Sequence, residues 1–163
     1  MPTRFAVADS HPPSTDPDMV ATRRPASRIR TILLATDLTP ISNEATAQAI
    51  ELAAALGARL LVVNVIDTRE RGSARAARVD QLRAGREPEM LDVVNRARSR
   101  GVEATYLLWT GEPGRSIVSA AQAEQADLIV VGTRGLDRAG RFLLGSVSDH
   151  VVFHAACPVF VAR

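Results

Sequence analysis

The chain has 163 residues, 46% of them hydrophobic and 23% charged, which is the size and composition of one globular domain. Its 20 basic residues are all arginine and are nearly balanced by 18 acidic residues, so the charge does not indicate a nucleic-acid partner. The absence of lysine excludes a P-loop lysine, a Schiff-base lysine, a kinase-type phosphate lysine and the lysine of a phospho-receiver domain.

The single cysteine, Cys157, excludes an internal disulfide and a multi-cysteine metal site. No segment reaches the roughly 20 consecutive apolar residues that a membrane-spanning helix needs. The first residues also lack the apolar core of a secretory signal. We therefore expect a cytoplasmic protein without a membrane partner.

Residues 1–28 mix proline with polar and charged residues and show neither strand nor helix periodicity. Such a segment is predicted to be a disordered tail. The pattern changes sharply at Ile29. Residues 29–163 are therefore predicted to form one folded domain.

Five short apolar runs along this domain predict five β-strands. The runs cover residues 31–36, 60–66, 104–109, 128–131 and 159–161. Between the runs, apolar residues recur at helical spacing and predict helices over 45–56, 90–97, 113–121 and 143–153. The stretch from Asp67 to Arg86 has no clear apolar face, so it is predicted to be a loop or a loosely held helix start.

The order of these elements indicates the fold class. The apolar runs lack polar alternation, which is typical of strands buried on both faces of a parallel sheet. Strand and helix alternate along the chain, which predicts an α/β domain with right-handed crossovers. In such a domain, ligands bind at the carboxyl ends of the strands, where the strand order reverses.

A glycine motif of the form G-x2-G-x9-G-S follows the fourth predicted strand and comprises Gly132, Gly135, Gly145 and Ser146. The first two glycines permit positive φ and let a ligand approach the backbone, whose N–H groups can bind an anion. The last two residues lie at a predicted helix start, where free N–H groups and the helix dipole favour phosphate. The hydroxyls of Ser146 and Ser148 can donate further hydrogen bonds. The alternative is that the glycines only shape turns.

The domain resembles the universal stress protein family in four stretches that together cover nearly all of it. These are ILLATDLTPISNEA, LLVVNVID, DLIVVGTRG and GSVSDHVVFHAACPVFVAR. The glycine motif is the mark of the family's ATP-binding branch. The resemblance implies a flavodoxin-like, Rossmann-like three-layer sandwich with a five-stranded parallel sheet of order 3-2-1-4-5. It also implies a homodimer formed through the last strand, Val159 to Val161.

The resemblance further implies which residues bind the nucleotide. Asp37 lies beside it, flanked by Ala35 and Thr36, and the backbone of Val65 meets the adenine. The phosphates are held by the glycine motif and its neighbours, namely Gly132, Arg134, Gly135, Gly145, Ser146, Val147 and Ser148. As a hypothesis, Asp37 contacts the ribose or a phosphate-bound Mg²⁺. The alternative for Asp37 is a turn former that bonds its own backbone.

Three departures from the family pattern leave the preferred nucleotide open. Asn64 replaces the usual histidine, Ala35 stands where some ATP-binding members have proline, and His150 stands where a charged residue is common. None of them lies in the glycine motif. Some relatives bind cyclic AMP instead of ATP or as well as it, and the sequence does not separate the two.

Other candidate residues give weaker signals. His150 and His154 share a helix face, but a zinc site needs more ligands than these two. His154 is instead predicted to stabilise the end of its helix. Ser146, Ser148, Asp149 and His150 are too close along one helix to form a hydrolytic triad. The arginines between Arg69 and Arg86 are interpreted as a solvated surface, with an RNA patch or a reach over the phosphates as alternatives.

The sequence therefore predicts an ATP-binding universal stress protein, with Mg²⁺ as the accompanying ion, that acts as a nucleotide-linked regulator of the stress response. No residue stands out as a general base, so no catalytic residue is assigned and at most slow ATP hydrolysis is expected. Two alternatives remain: a cyclic-AMP-binding member of the family, and a dimeric interaction module that binds no nucleotide.

Overall fold

The structure of the chain, a computed structural model, describes residues 29–67, 75–133 and 145–162. The predicted tail, Arg134 and Gly135 lie outside these ranges.

One sheet of five parallel strands forms the centre of the fold. The strands are β1 (Thr31–Ala35), β2 (Arg59–Asp67), β3 (Ala104–Gly111), β4 (Leu128–Gly132) and β5 (Val159–Ala162). Their order is β3-β2-β1-β4-β5, which confirms the predicted order 3-2-1-4-5 and the flavodoxin-like fold class. The strand order reverses at β1, because the next strand in the chain lies on one side of it and β4 lies on the other.

Helices cover both faces of the sheet and complete the three layers. They are the one-turn 3-10 helix Pro40–Ser42, α1 (Asn43–Leu56), α2 (Arg75–Ser99), α3 (Pro113–Ala123) and α4 (Ser146–His154). Helices α1 and α2 pack on one face and share a core cluster with it. Helices α3 and α4 pack on the other face, as right-handed crossovers on either side of the reversal require.

Strand β1 shows why the apolar runs lack polar alternation. Ile32 and Leu34 pack among the side chains of the α1–α2 core, whereas Leu33 and Ala35 pack in the α3–α4 core. Every side chain of β1 is buried in one of the two clusters or at the start of the strand. Burial of each leucine or isoleucine contributes about 1.5–3 kcal/mol relative to exposure, so a polar residue here would be costly.

Helix α2 begins earlier than the apolar pattern indicates. The sequence predicts a loop or a loosely held helix start over 67–86, whereas the structure is helical from Arg75 onwards. Arginine, alanine and glutamine favour a helix even where no apolar face marks one. The hydroxyl of Tyr106 on β3 donates to Glu87 Oε1 at 2.8 Å and fastens this half of the helix to the sheet.

The amino ends of β1 and β4 are joined by one carboxylate. Asp127, directly before β4, accepts hydrogen bonds at Oδ2 from the backbone N–H groups of Arg30 (2.9 Å) and Thr31 (3.0 Å). Both N–H groups lie at the start of the central strand. Hydrogen bonds to a carboxylate are stronger than those between neutral groups, so this contact fixes where β1 begins.

Helices α3 and α4 approach each other at a glycine. A Cβ atom added to Gly114, in the first turn of α3, would lie 2.9 Å from Cβ, Cγ and Cδ2 of His150 on α4. Real Cβ atoms essentially never come so close to other heavy atoms, and Cβ of His150 cannot move without its backbone. The absence of a side chain at Gly114 therefore allows the two helices to pack.

We predict that Gly114→Ala destabilises the domain by about 1–3 kcal/mol, because the added methyl group overpacks the contact with His150. Gly85→Ala is the matched control, since Gly85 also lies in a helix but has no atom within 4 Å of an added Cβ. That change should instead add about 0.5–1 kcal/mol through helix propensity. Urea unfolding of both variants measures the difference, and equal stabilisation of both would contradict the close approach.

Candidate functional site

A cleft forms above the end of β1 because both neighbouring strands continue past its last residue. The last β1–β2 pair joins Ala35 to Val63, but β2 continues to Asp67 while pairing only with β3 on its other side. Val65 therefore lies two residues beyond the pairing with β1, and the edge of β2 that faces the cleft has no strand partner there. On the other side, β4 continues past its last β1 pair to Gly132. This cleft lies at the strand-order reversal, where α/β sheets bind ligands.

Thr36, the first residue after β1, forms the floor of the cleft and is 7% exposed. Its N–H donates to the carbonyl oxygen of Val63 at 3.0 Å. The Thr36 hydroxyl also forms a 2.9 Å hydrogen bond with Ser42 Oγ. The same Thr36 oxygen accepts from the N–H of Leu38 at 3.1 Å. Its buried hydroxyl is thus fully paired and holds the loop that follows β1.

Asp37 forms a local turn at the carboxyl end of β1. Its Oδ1 accepts from the N–H of Thr39 at 3.0 Å and from the Thr39 hydroxyl at 2.7 Å, which confirms the turn-forming interpretation for this oxygen. Partial burial opposes ionisation, but the hydrogen bonds from Thr39 and Ser42 outweigh it and hold the pKa of Asp37 below its usual range. A carboxylate that is charged at neutral pH therefore lies at the edge of the cleft.

Leu38, the next residue, has the left-handed backbone conformation with φ of 64°. This conformation costs a residue with a bulky side chain about 1–2 kcal/mol. The N–H bond to Thr36 and the packing of the Leu38 side chain on the α1–α2 core offset that cost. The loop after β1 is thus held in a strained shape by its surroundings, as is common where a ligand is bound.

A polar link that the sequence does not predict connects β2, the β1 loop and α2. Asn64 is 1% exposed, donates from Nδ2 to the carbonyl oxygen of Thr36 at 2.8 Å, and accepts at Oδ1 from Arg86 Nη1. The signal was present in the sequence, because an asparagine within a run of apolar strand residues needs buried partners. Which residues supply them depends on how α2 packs.

Gly132, the first glycine of the motif, does not have a positive φ in the structure. Gly132 is the last residue of β4, pairs with Ala162 of β5, and is absent from the positive-φ residues of the described ranges. Glycine permits a positive φ there, but strand pairing continues through this residue and it does not adopt one. An added Cβ would lie 3.4 Å from Cβ of Ala45 on α1, which is close to ordinary van der Waals contact. Arg134 and Gly135 of the motif lie outside the described residues.

The second half of the motif begins α4, as the sequence predicts. Gly145 is the N-cap residue and Ser146 is the first helical residue, which is exposed. The N–H groups of Ser146, Val147 and Ser148 have no acceptor within the helix and are available for an anion. The Ser148 hydroxyl is 2% exposed and donates to the carbonyl oxygen of Gly145 at 2.9 Å. It stabilises the helix start, so what Ser148 offers a ligand is its backbone N–H.

The histidines and the cysteine contribute structure in the described part of the chain. The rings of His150 and His154 stack with centroids 4.0 Å apart, and His154 Nδ1 lies 2.8 Å from the carbonyl oxygen of His150 at the helix end. Among the described residues, no group of three or more possible metal ligands comes together. Burial raises the pKa of the half-buried Cys157 thiol. No helix in the described ranges is long and apolar enough to cross a membrane.

A separate cavity of about 330 Å³ lies between α1 and α2. Its lining consists of Thr36, Leu38, Asn43, Thr46, Pro88, Glu89, Asp92, Val93 and Arg96. Among the described residues, Thr36 is the only lining residue that belongs to the predicted nucleotide site, and none of Val65, Gly132, Gly145 and Ser146 borders the cavity. This cavity is therefore distinct from the cleft at the strand-order reversal.

The fold is that of a flavodoxin-like α/β protein, with a candidate ligand site at the carboxyl edge of its sheet. The family model "Universal stress protein family" matches residues 28–163, so the chain belongs to the universal stress protein family. A curated universal stress protein of Thermus aquaticus is 40% identical over 144 residues, covering 82% of this chain and 98% of that protein.

Solved structures of the same family support the fold and include nucleotide complexes. The universal stress protein UspA from Lactobacillus plantarum superposes with a TM-score of 0.75 at 25% identity, covering 84% of this chain and 99% of that one. A universal stress protein in complex with cyclic AMP gives 0.67 at 27% identity, with coverage of 84% and 98%. One from Archaeoglobus fulgidus in complex with dAMP gives 0.64 at 26% identity, with coverage of 82% and 98%.

We predict that the stability contributed by the Asp37 carboxylate depends on pH. Because its folded-state pKa is lowered, the ionised group stabilises the fold above the unfolded-state pKa of about 3.9, and the contribution is lost as the pH falls through the folded-state value. Asp37→Asn keeps an oxygen acceptor but loses the charge. The wild type should unfold at a higher temperature than this variant at neutral pH, and the difference should narrow as the pH falls below the unfolded-state pKa. Thermal unfolding followed by circular dichroism measures the unfolding temperatures of both proteins. A difference between them that does not change with pH would contradict a role for the charge.

Proposed function

We propose that the chain binds ATP in the cleft above β1 and acts as a nucleotide-linked regulator of the stress response. The observation that carries the proposal is the free edge of β2 at Val65, where the chain continues past the end of β1. An adenine ring can form backbone hydrogen bonds at such an edge. The relatives in complex with cyclic AMP and dAMP support an adenine nucleotide as the ligand class.

The neighbouring groups suit the rest of the nucleotide. Asp37, charged and at the cleft edge, suits the ribose hydroxyls, with Ala35 and Thr36 beneath. The α4 N-terminus suits the phosphates, and Gly132, Arg134 and Gly135 are assigned to them on the motif alone. The Asp37 carboxylate and the Ser146 hydroxyl are oxygen donors of the type that Mg²⁺ prefers, and Mg²⁺ is commonly held by one carboxylate and the phosphates. When bound, the ion would neutralise phosphate charge.

We assign the chain a binding role in the cytoplasm and no dedicated catalytic residue. Backbone N–H groups and hydroxyls can hold a triphosphate without activating a water molecule. Slow hydrolysis is the most that such a site would support, since a positioned general base contributes about 10²–10⁴-fold to a reaction rate. A site whose occupancy follows the ATP concentration is suited to regulation.

Thermal unfolding with Mg²⁺ and, separately, ATP, ADP, AMP, cyclic AMP and GTP tests the ligand. At 100 times its dissociation constant, the ligand should add about 2.7 kcal/mol to the free energy of unfolding. Nucleotide released from the same preparation must also be assayed. ATP should stabilise most. A preference for cyclic AMP would support the second-messenger alternative, and no shift without a copurified nucleotide would favour the interaction module.

Ser146→Asp in the same experiment tests the phosphate position. An exposed carboxylate at the first helical residue interacts favourably with the helix dipole. The free energy of unfolding of the variant should therefore equal that of the wild type or exceed it by up to about 1 kcal/mol. It should nevertheless weaken ATP binding at least about tenfold, and adenosine binding far less, because like charges repel. Ser146→Ala is the matched control without charge. An equal loss for ATP and adenosine would contradict phosphate binding at α4.

We also propose a homodimer formed through β5. This strand is at the edge of the sheet, and an uncovered edge offers unpaired backbone groups to a second chain. Phe160 on β5 is 39% exposed, and Phe153 at the end of α4 is 77% exposed. Both are large apolar side chains that a partner would cover.

Light scattering should therefore give a dimer at micromolar concentration. Phe160→Lys should shift it towards the monomer, because a charge on an edge strand opposes pairing. Ile41→Lys is the control, since Ile41 is also an exposed apolar residue but lies in the 3-10 helix, away from β5. A wild-type monomer, or equal dissociation of both variants, would contradict this interface.

A further inference from the structure

The buried amide of Asn64 connects two parts of the molecule that are distant in sequence. Its Nδ2 donates to the carbonyl oxygen of Thr36, 28 residues earlier, at 2.8 Å. Its Oδ1 accepts from Arg86 Nη1, 22 residues later, at 2.5 Å. The two bonds fix which end of the amide is oxygen, because a guanidinium can only donate and a carbonyl oxygen can only accept.

The receiving end of this link is the strained loop after β1. Thr36 begins the loop, and its hydroxyl accepts from the N–H of Leu38, whose φ is 64°. Asp37 lies between these two residues, so the position of its carboxylate depends on both. A loop in an unfavourable backbone conformation persists only where contacts from outside it hold that conformation. The Asn64 amide supplies such a contact from the neighbouring strand.

The group that donates to Asn64 is the charged guanidinium of Arg86, which lies on α2. Arg86 is half-buried and makes a charge-assisted hydrogen bond, which is shorter and stronger than a neutral one. A cation on Oδ1 polarises the amide and strengthens the donation from Nδ2, since hydrogen bonds in a chain reinforce one another. The charge of Arg86 on α2 thereby strengthens the hydrogen bond that Asn64 donates to the carbonyl oxygen of Thr36.

We propose that Arg86 is a positioning residue that acts through Asn64 on the β1 loop and so holds Asp37 in place for the nucleotide. The role is distinct from a reach over the phosphates, since the guanidinium is directed to an amide within the fold. The part of the proposal that concerns nucleotide affinity rests on the proposed function. The part that concerns the loop does not.

The loop is tested without any ligand by amide hydrogen exchange in the full chain. Arg86→Met keeps the apolar stem of the side chain and removes the donor. The amides of Leu38 and Thr39, which bond to Thr36 and Asp37, should then exchange about tenfold faster than in the wild type.

Arg83→Met is the matched control, because Arg83 lies on the same helix and pairs with Asp80 at 4.0 Å instead of with Asn64. This variant should leave the exchange of both loop amides unchanged. Unchanged exchange in Arg86→Met, or equal acceleration in the two variants, would overturn the proposal.

The nucleotide part is tested with adenosine, AMP and ATP, all of which carry the ribose. A positioning role predicts that Arg86→Met weakens the three by a similar factor of about ten, or 1.4 kcal/mol. A loss that grows with the number of phosphates would assign Arg86 to phosphate contact and overturn the proposal. In the Asn64→Leu variant, the further change Arg86→Met should cause no additional loss of nucleotide affinity, because the link from Arg86 to Thr36 is already absent. An additive loss of affinity would also overturn the proposal.

The two proposals fail in different ways. If the wild type binds none of the three ligands, the proposed function fails, and hydrogen exchange still decides whether Arg86 holds the loop. If the wild type binds them and Arg86→Met binds them equally well, ATP binding stands and the positioning role is wrong.

Discussion

The reversal of strand order at β1 is the constraint on which the rest of this structure depends. The crossovers on its two sides place helices on opposite faces, so β1 is covered on both faces and paired on both edges. Its five side chains are therefore buried, and four of them are apolar. Since β2 and β4 continue past Ala35, the same reversal that buries β1 opens the cleft above it. Core and candidate site are consequences of one topological feature.

The cleft is built mainly from backbone and hydroxyl groups. A chain without lysine can attract phosphate through helix N-terminal N–H groups, and α4 begins with three of them. Such donors are fixed by the fold and lose little entropy when a ligand arrives, whereas a lysine side chain must be immobilised. The price is that the geometry of the loops must be held by other contacts, which the pairing of Thr36 with Ser42 and Asn64 provides.

The sequence predicts most of the fold because its strands are buried on both faces. The predicted runs at 31–36 and 128–131 differ from the observed β1 and β4 by one residue at their ends. The start of α2 was not predicted to be firmly helical, because arginine-rich turns show no apolar face and helix propensity alone is a weak signal. Of the site, the helix start at Ser146 followed from local pattern, whereas the Asn64–Arg86 bond joins residues that only tertiary packing brings together. Gly132 pairs with Ala162 of β5, a contact that depends on the last strand of the chain and that local pattern does not show.

The two ends of the domain lie at opposite edges of the sheet. Asp127 fixes Arg30 and Thr31 at the amino edge, whereas Ala162 pairs with Gly132 at the carboxyl edge, beside the cleft. The five residues of β1 separate the two edges by about 16 Å at 3.3 Å per residue. A fluorescent protein, affinity tag or surface tether joined ahead of Ile29 therefore leaves the cleft accessible. The same attachment at the carboxyl end would crowd both the cleft and the free edge of β5.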